Sequence, residues 1–392
     1  MDKSILSEEI QEFIASNINA DVSKLALLKN KFSNVDWTTI LNQIAAKQKA
    51  KTKLPTWFHT SNIYYPSKIS VEQTSSEKTA EYKSQLVSGD KLIDLTGGFG
   101  VDDFYFSKKV NQVTHCEINP ELSKIVAHNF KLLQIQNIEC LAGDSTEILA
   151  NLNRKFDWIY IDPSRRNDVK GKVFMLKDCL PNVPELLDFY FESANNIIIK
   201  TAPILDITAG LSELKSVKVI HIVALENEVK ELLWILEKDY YKNIQIVSCN
   251  LTKDTTETFT FELGNSFISN YSLPKKYVYE PNAAIMKSGG FDEITANFNV
   301  EKLHQHSHLF TSDMLIDFPG RVFEIENSFE YNKQNMKSFL ENKKANITTR
   351  NFPETVENIR KKWKIKDGGT MYCFFTTDAN NNKIVLLCAK LK

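Results

Sequence analysis

Asp94, Gly98 and Gly100 are spaced as residues that bind a ligand at the end of a β-strand. The stretch Leu92-Ile93-Asp94-Leu95-Thr96-Gly97-Gly98-Phe99-Gly100 carries an apolar run into an acid and then turns through clustered glycines. It enters a segment with helical spacing at Val101, Phe104 and Phe106. Gly98 and Gly100 let the backbone approach a ligand closely and adopt positive φ. The helix that follows aims its first amide donors at whatever sits in the turn. A nucleotide-type ligand is expected. The dinucleotide fingerprint is G-x-G-x-x-G, and Asp103 stands where its third glycine belongs. An acid there would repel a pyrophosphate, which favours a ligand without phosphates.

Three more carboxylates close apolar runs downstream. Gln112 to Cys116 reads as a short strand ending at Glu117, and Glu121 to Leu133 has the apolar spacing of a crossover helix. Asn137 to Leu141 is a third strand, followed by Gly143-Asp144-Ser145. Phe156 to Ile161 is a fourth, closing on Asp162-Pro163. In open α/β sheets the ligand lies outside the carboxyl ends of the strands, so Asp162 should point into the site and Glu117 could accept ribose hydroxyls. Asn196 to Lys200 holds a run of isoleucines typical of a parallel strand buried on both faces. Val217 to Ala224, Glu231 to Glu237 and Asn243 to Leu251 would complete the sheet.

The order strand, acid, helix, repeated in this way, resembles the class I S-adenosylmethionine (SAM) methyltransferases, whose motif I is D-x-x-x-G-x-G. SAM carries a sulfonium and an ammonium, so an acid-rich turn suits it. The resemblance implies a one-carbon transferase with SAM as cofactor. It places Asp94, Thr96, Gly98 and Gly100 around the cofactor, and Glu117 with Ile118 at the ribose. Asp144 and Ser145 fall near the adenine, although either could instead cap the helix that follows. Methyltransferases of exocyclic amines often carry Asp/Asn-Pro-Pro-aromatic after the fourth strand. This chain has Asp162-Pro163-Ser164-Arg165-Arg166, which matches in its first two positions and departs in the rest. Asp162, Ser164 and Arg165 are the expected acceptor-positioning residues, with Asp162 also beside the cofactor. Arg165 could stack on a base and bind phosphate, or pair with a nearby acid. Lys200-Thr201-Ala202-Pro203 could line the same cleft. Gln73, Ser75 and Ser76 could reach the methionine carboxylate, or form a capping box before Glu77.

At 392 residues the chain should hold more than one domain. Six scattered cysteines without C-x-x-C pairs suggest neither a zinc site nor a disulfide framework. His304, His306 and His308 would share one face of a strand, but no cysteine or acid cluster accompanies them, and no metal is expected. There is no apolar signal-peptide core at the N-terminus and no stretch long enough to span a membrane, so a cytoplasmic location is expected. The net charge of −1 does not advertise nucleic acid. Locally, Arg360-Lys361-Lys362-Trp363-Lys364-Ile365-Lys366 packs five cations around a tryptophan, a footprint for RNA phosphates and a stacked base. A solvated helix end would look the same.

Residues 1–60 carry helical patterning and should form an N-terminal extension, with a methyltransferase domain over 61–251. Residues 252–318 should form a connecting α+β segment, with a short helix opened by Pro281 near its first turn. From Arg321 onward the pattern reads strand, helix, strand, helix and two final strands. The stretches Asp317-Phe318-Pro319-Gly320-Arg321 and Asn351-Phe352-Pro353 through Lys366-Asp367-Gly368-Gly369 resemble the THUMP-like domain attached to a family of bacterial class I methyltransferases. That domain would occupy 319–392. The fold class expected is α/β: a Rossmann-like methyltransferase sheet with an N-terminal helical extension and a C-terminal α+β THUMP-like domain. THUMP domains bind structured RNA, so the resemblance implies methylation of rRNA or tRNA. Methylation of a protein or small molecule, or a non-catalytic RNA-binding role, are the alternatives.

Overall fold

The computed structural model describes residues 1–165, 175–265 and 267–392. The chain forms two units, one of Met1–Lys218 with Leu232–Lys242 and the other of Val219–Glu231 with Asn243–Lys392.

The first unit is built on parallel strands β1 (Lys91–Asp94), β2 (Gln112–Glu117), β3 (Ile138–Ala142) and β4 (Phe156–Ile161). A short antiparallel ribbon, β5 (Ser164–Arg165) with β6 (Cys179–Leu180), follows β4. Then come β7 (Ala194–Thr201), β8 (Val217–Leu225), which belongs from Val219 on to the second unit, and β9 (Glu228–Glu237), which belongs to the first unit from Leu232 on. Within this unit the order is β9-β7-β4-β1-β2-β3, with Leu232–Glu237 of β9 antiparallel to β7. The chain steps from β1 outward to β2 and β3, then returns to lay β4 on the other side of β1. The carboxyl ends of β1 and β4 therefore flank a switch point, where crossovers diverge and leave a crevice. Between β4 and β7 the register pairs Ile159 with Ile197 and Ile161 with Ile199, all four fully buried.

The N-terminal helices Glu8–Ser16 and Trp37–Lys53 share one apolar core with the helices Val101–Phe106 and Pro120–Leu132. Trp57 has its ring 4.9 Å from that of Phe104. This core braces the glycine turn from behind.

In the second unit β8 pairs in parallel with β10 (Gln245–Leu251), and β11 (Thr256–Glu262) runs antiparallel beyond it. A second sheet contains β12 (Tyr277–Pro281), β13 (Glu301–Lys302), β14 (Phe310–Ser312), β15 (Gly320–Glu330), β16 (Asn346–Thr349), β17 (Met371–Thr377) and β18 (Lys383–Lys390). Its order is β13-β14-β12-β15-β18-β17-β16. Alternation splits β17 and β18 between two faces. Cys373, Phe375, Val385 and Leu387 meet the helices Lys333–Phe339 and Val356–Trp363, whereas Phe374, Leu386 and Cys388 meet Val278 and Phe323.

The order of elements after Arg321 follows the reading from sequence, but two local expectations are corrected. Tyr279 to Pro281 is strand rather than helix, because Asn282 caps the helix Ala283–Ser288 by accepting from the Ile285 N–H. His304, His306 and His308 do not share a strand face. They lie in the turn after β13, where the His304 ring is held by Asn351 and Asn381, and His308 stacks on Phe291 at 3.8 Å. Among the described residues no helix is long and apolar enough to cross a membrane.

Candidate cofactor and acceptor site

The site begins where β1 ends. The buried Asp94 Oδ1 accepts the Thr96 N–H at 2.7 Å and the Thr96 hydroxyl at 3.1 Å, which folds the chain back on itself. The Thr96 hydroxyl oxygen in turn accepts the Asp162 N–H at 2.7 Å. Thr96 thus ties the end of β1 to the end of β4. Burial, reinforced by the neighbouring Asp103, pushes the Asp94 carboxyl well above the usual carboxylate range.

The three glycines of the turn serve different purposes. A Cβ on Gly97 would lie 2.1 Å from the His115 ring, and one on Gly100 would lie 2.6 Å from Phe130. Both positions are closed by packing. At Gly98, with φ of +54°, an added Cβ would meet only the Thr96 carbonyl, at 3.7 Å. Of the two glycines expected to face the ligand, Gly98 borders open space, whereas Gly100 serves the helix beneath.

Glu117 completes the turn. Its Oε2 accepts the Gly98 N–H at 3.0 Å and its Oε1 accepts the Asn119 N–H at 2.7 Å. Each oxygen keeps lone-pair capacity for a further donor. Ile118 beside it is 71% exposed, a flat apolar surface at the strand end. Asp144 caps the helix Ser145–Leu152 through Oδ1, accepting from Thr146 and Glu147 N–H groups. Both of these bonds use Oδ1.

At the end of β4, Asp162 forms an ion pair with Lys200 at the end of β7, Oδ2 to Nζ 2.5 Å. The carboxylate is 39% exposed and the lysine 12%, so the pair opens on the crevice. Ser164 is exposed in the ribbon after β4. The Arg165 side chain and Arg166 lie outside the described residues.

Two buried networks escaped the reading from sequence. Asp103 does not face the ligand turn. It is fully buried, with Oδ2 2.6 Å from His115 Nδ1. Burial pushes the Asp103 carboxyl up and the His115 imidazole down. The second network centres on Asp102, whose Oδ2 accepts from the Ser75 hydroxyl at 2.9 Å and the Tyr160 hydroxyl at 2.8 Å. Its Oδ1 lies 3.2 Å from the buried Lys83 Nζ. Burial alone would raise this carboxyl, but Lys83 and Lys200 outweigh it and hold it below its ordinary value. Ser75 therefore anchors the segment before β1 to the glycine turn, while Ser76 caps the helix Glu77–Ser84. A lysine inside the apolar side of a helix, and an acid among Val101, Phe104 and Phe106, were the signals available.

In the second unit, Trp363 is a core residue. Only 7% of it is exposed, and its indole N–H donates to the Tyr331 hydroxyl at 3.0 Å. The buried ring leaves little surface for the base stacking expected from sequence, because it shares a core with Ile359 and Phe375, and Tyr331 packs against it. Arg360 pairs with Asp367 and Lys362 with Glu354. Lys361 and Lys364 stand exposed at the helix end. Gly320 and Arg321 have structural roles: a Cβ on Gly320 would strike the Glu280 carbonyl at 2.2 Å, and the buried Glu280 carboxylate binds both Arg321 and Arg350.

Comparison with known proteins agrees with this layout. Residues 277–319 match a ferredoxin-like domain and residues 320–390 a THUMP domain-like family. A crystal structure from Porphyromonas gingivalis W83, described as a candidate methyltransferase, is 31% identical, with a TM-score of 0.88 over 100% of this chain and 99% of that one. The chain belongs to that family. Its members are methyltransferases with a THUMP-like domain. Shorter matches join it to the tRNA (guanine(37)-N(1))-methyltransferase Trm5b of Pyrococcus abyssi, 28% identical over 92 residues. An RNA methyltransferase of Clostridium acetobutylicum, described as uncharacterised, is 30% identical over 105 residues. These two matches cover 24% and 25% of this chain, and the chain spans only about a quarter of each relative's length, 26% and 23%.

Proposed function

We propose that this chain is a SAM-dependent methyltransferase acting on RNA. The observation that carries the cofactor is the open space beside Gly98 at the switch point, with the Gly98 N–H held by the Glu117 carboxylate. A ligand that carries positive charge and no phosphate suits a turn closed by a carboxylate. Glu117 would hold the ribose hydroxyls, Ile118 would cover one face of the adenine, and Asp144 would receive its amino group. Gly98 and Thr96 would lie along the methionine end. When bound, SAM supplies a methyl group on a sulfonium. The chain's contribution is to place an acceptor in line with that methyl, and alignment of this kind supplies much of the rate. Asp162 would lie beside the approaching acceptor. The RNA assignment draws on the THUMP-like domain and on the named activities of the partial relatives.

Titration calorimetry and thermal melting provide the test. SAM should bind at micromolar level and raise Tm by mass action. Asp162→Ala should keep SAM affinity within a few-fold while lowering methyl transfer to total RNA by about 100-fold or more. Preference for a nicotinamide dinucleotide over SAM would overturn the cofactor. Unchanged turnover in Asp162→Ala would reduce Asp162 to a structural acid.

A further inference from the structure

The Asp162–Lys200 pair restricts which atom can be methylated. Asp162 Oδ2 already receives the Lys200 ammonium at 2.5 Å, and the pair sits at the adjoining ends of β4 and β7 with the carboxylate partly exposed. Thr96 fixes the Asp162 backbone from the cofactor side. An acceptor entering here therefore meets a carboxylate oxygen and an ammonium donor side by side. An exocyclic amine has two N–H groups and a single lone pair. Beside an ammonium, that pair is drawn into a hydrogen bond and lost to the reaction. A ring nitrogen has one in-plane pair and the same conflict. A hydroxyl has one O–H and two lone pairs. It can donate to Asp162, accept from Lys200 and still turn its second pair towards the methyl.

We propose that the acceptor is a hydroxyl oxygen, which in RNA is the ribose 2′-hydroxyl, held between Asp162 and Lys200. This rests on the RNA methyltransferase reading above. As the oxygen pair forms the new O–CH3 bond, the C–S bond breaks and its electrons stay on sulfur, neutralising the sulfonium. The hydroxyl proton passes to Asp162 Oδ1. Lys200 orients the oxygen and offsets the charge on the carboxylate until the proton arrives. The departure from Asp-Pro-Pro-aromatic fits this chemistry, since a hydroxyl target needs no aromatic platform against its base.

The full-length protein is incubated with SAM bearing a deuterated methyl and total RNA from a strain lacking the gene, and the RNA is digested to nucleosides for mass spectrometry. On cleavage of the glycosidic bond the label should stay with the ribose. A label leaving with the base would overturn the hydroxyl assignment and leave the RNA methyltransferase reading intact. A label found only in protein or small molecules would overturn that reading and the ribose assignment with it. Lys200→Gln tests the lysine. Its turnover should fall about 100-fold or more, while SAM affinity by calorimetry stays within a few-fold. Unchanged turnover with the same product would overturn the role of Lys200. The labelling of the unaltered protein decides the acceptor even if that variant does not fold.

Discussion

Gly97 and Gly98 are neighbours with opposite reasons for being glycine. The space beside Gly97 is filled by the His115 ring, which the buried Asp103 holds in place. The space beside Gly98 is open, and its cost is conformational, because φ is +54°. The same substitution should therefore separate folding from binding. Gly98→Ala should cost about 1–2 kcal/mol, the penalty of a left-handed residue, and reduce or abolish the Tm shift produced by SAM. Gly97→Ala should cost about 3 kcal/mol, the upper range for forcing an atom into a packed core. In the double variant Gly97→Ala with His115→Ala, the ring is gone, so the two losses should fall short of additive by about 1 kcal/mol or more. Strict additivity in urea unfolding would show that the contact with His115 is not what excludes a side chain at Gly97.

Among elements, the helix Val356–Trp363 displays how a basic sequence can mislead. Its charged residues include Arg360, Lys361 and Lys362, but it turns Ile359 and Trp363 into the core against Met336, Phe375 and Val385. Trp363→Ala should destabilise the second unit by about 3–5 kcal/mol, the usual cost of emptying a large buried aromatic site. Trp363→Phe should lose much less and leave RNA affinity unchanged. A Trp363→Phe protein that melts normally yet binds RNA several-fold more weakly would show that the ring contacts the ligand after all. Where the sequence pattern carried both a cationic strip and an apolar stripe, burial resolved which residue belonged to which.

At the scale of the whole molecule, binding of a structured RNA by a chain with net charge −1 must use local charge. Arg360 and Lys362 are paired with Asp367 and Glu354, whereas Lys361 and Lys364 stand exposed. If they contact phosphates, replacing both with Gln should weaken binding across RNA sequences and flatten the slope of log affinity against log salt by about 1–2. SAM affinity should not change. An unaltered slope, measured by filter binding between low and moderate salt, would move the RNA surface elsewhere on the chain.

Much of this protein is legible in local pattern. The strand that ends at Asp94, the glycine turn, the acids closing each later strand and the alternation of β17 and β18 are all periodicities of two or 3.6 residues. They depend on residues close in the chain, so the class of fold and the location of the glycine turn follow from sequence alone. What pairs with what does not. Asp103 and His115, Lys83 and Asp102, and Asp162 and Lys200 are separated by long stretches of chain, yet each pair lies within an ion-pair distance. The Asp162–Lys200 contact exists because β7 lies beside β4. Asp103 meets His115 and Lys83 meets Asp102 because the helix Val101–Phe106 packs against β2 and against the helix Glu77–Ser84. No single-chain periodicity records which element lies next to which. The acid in the third-glycine position illustrates the difference. From sequence, Asp103 faced a ligand and argued against phosphate. In the folded chain it is buried against His115, and the carboxylate that meets the Gly98 N–H is that of Glu117.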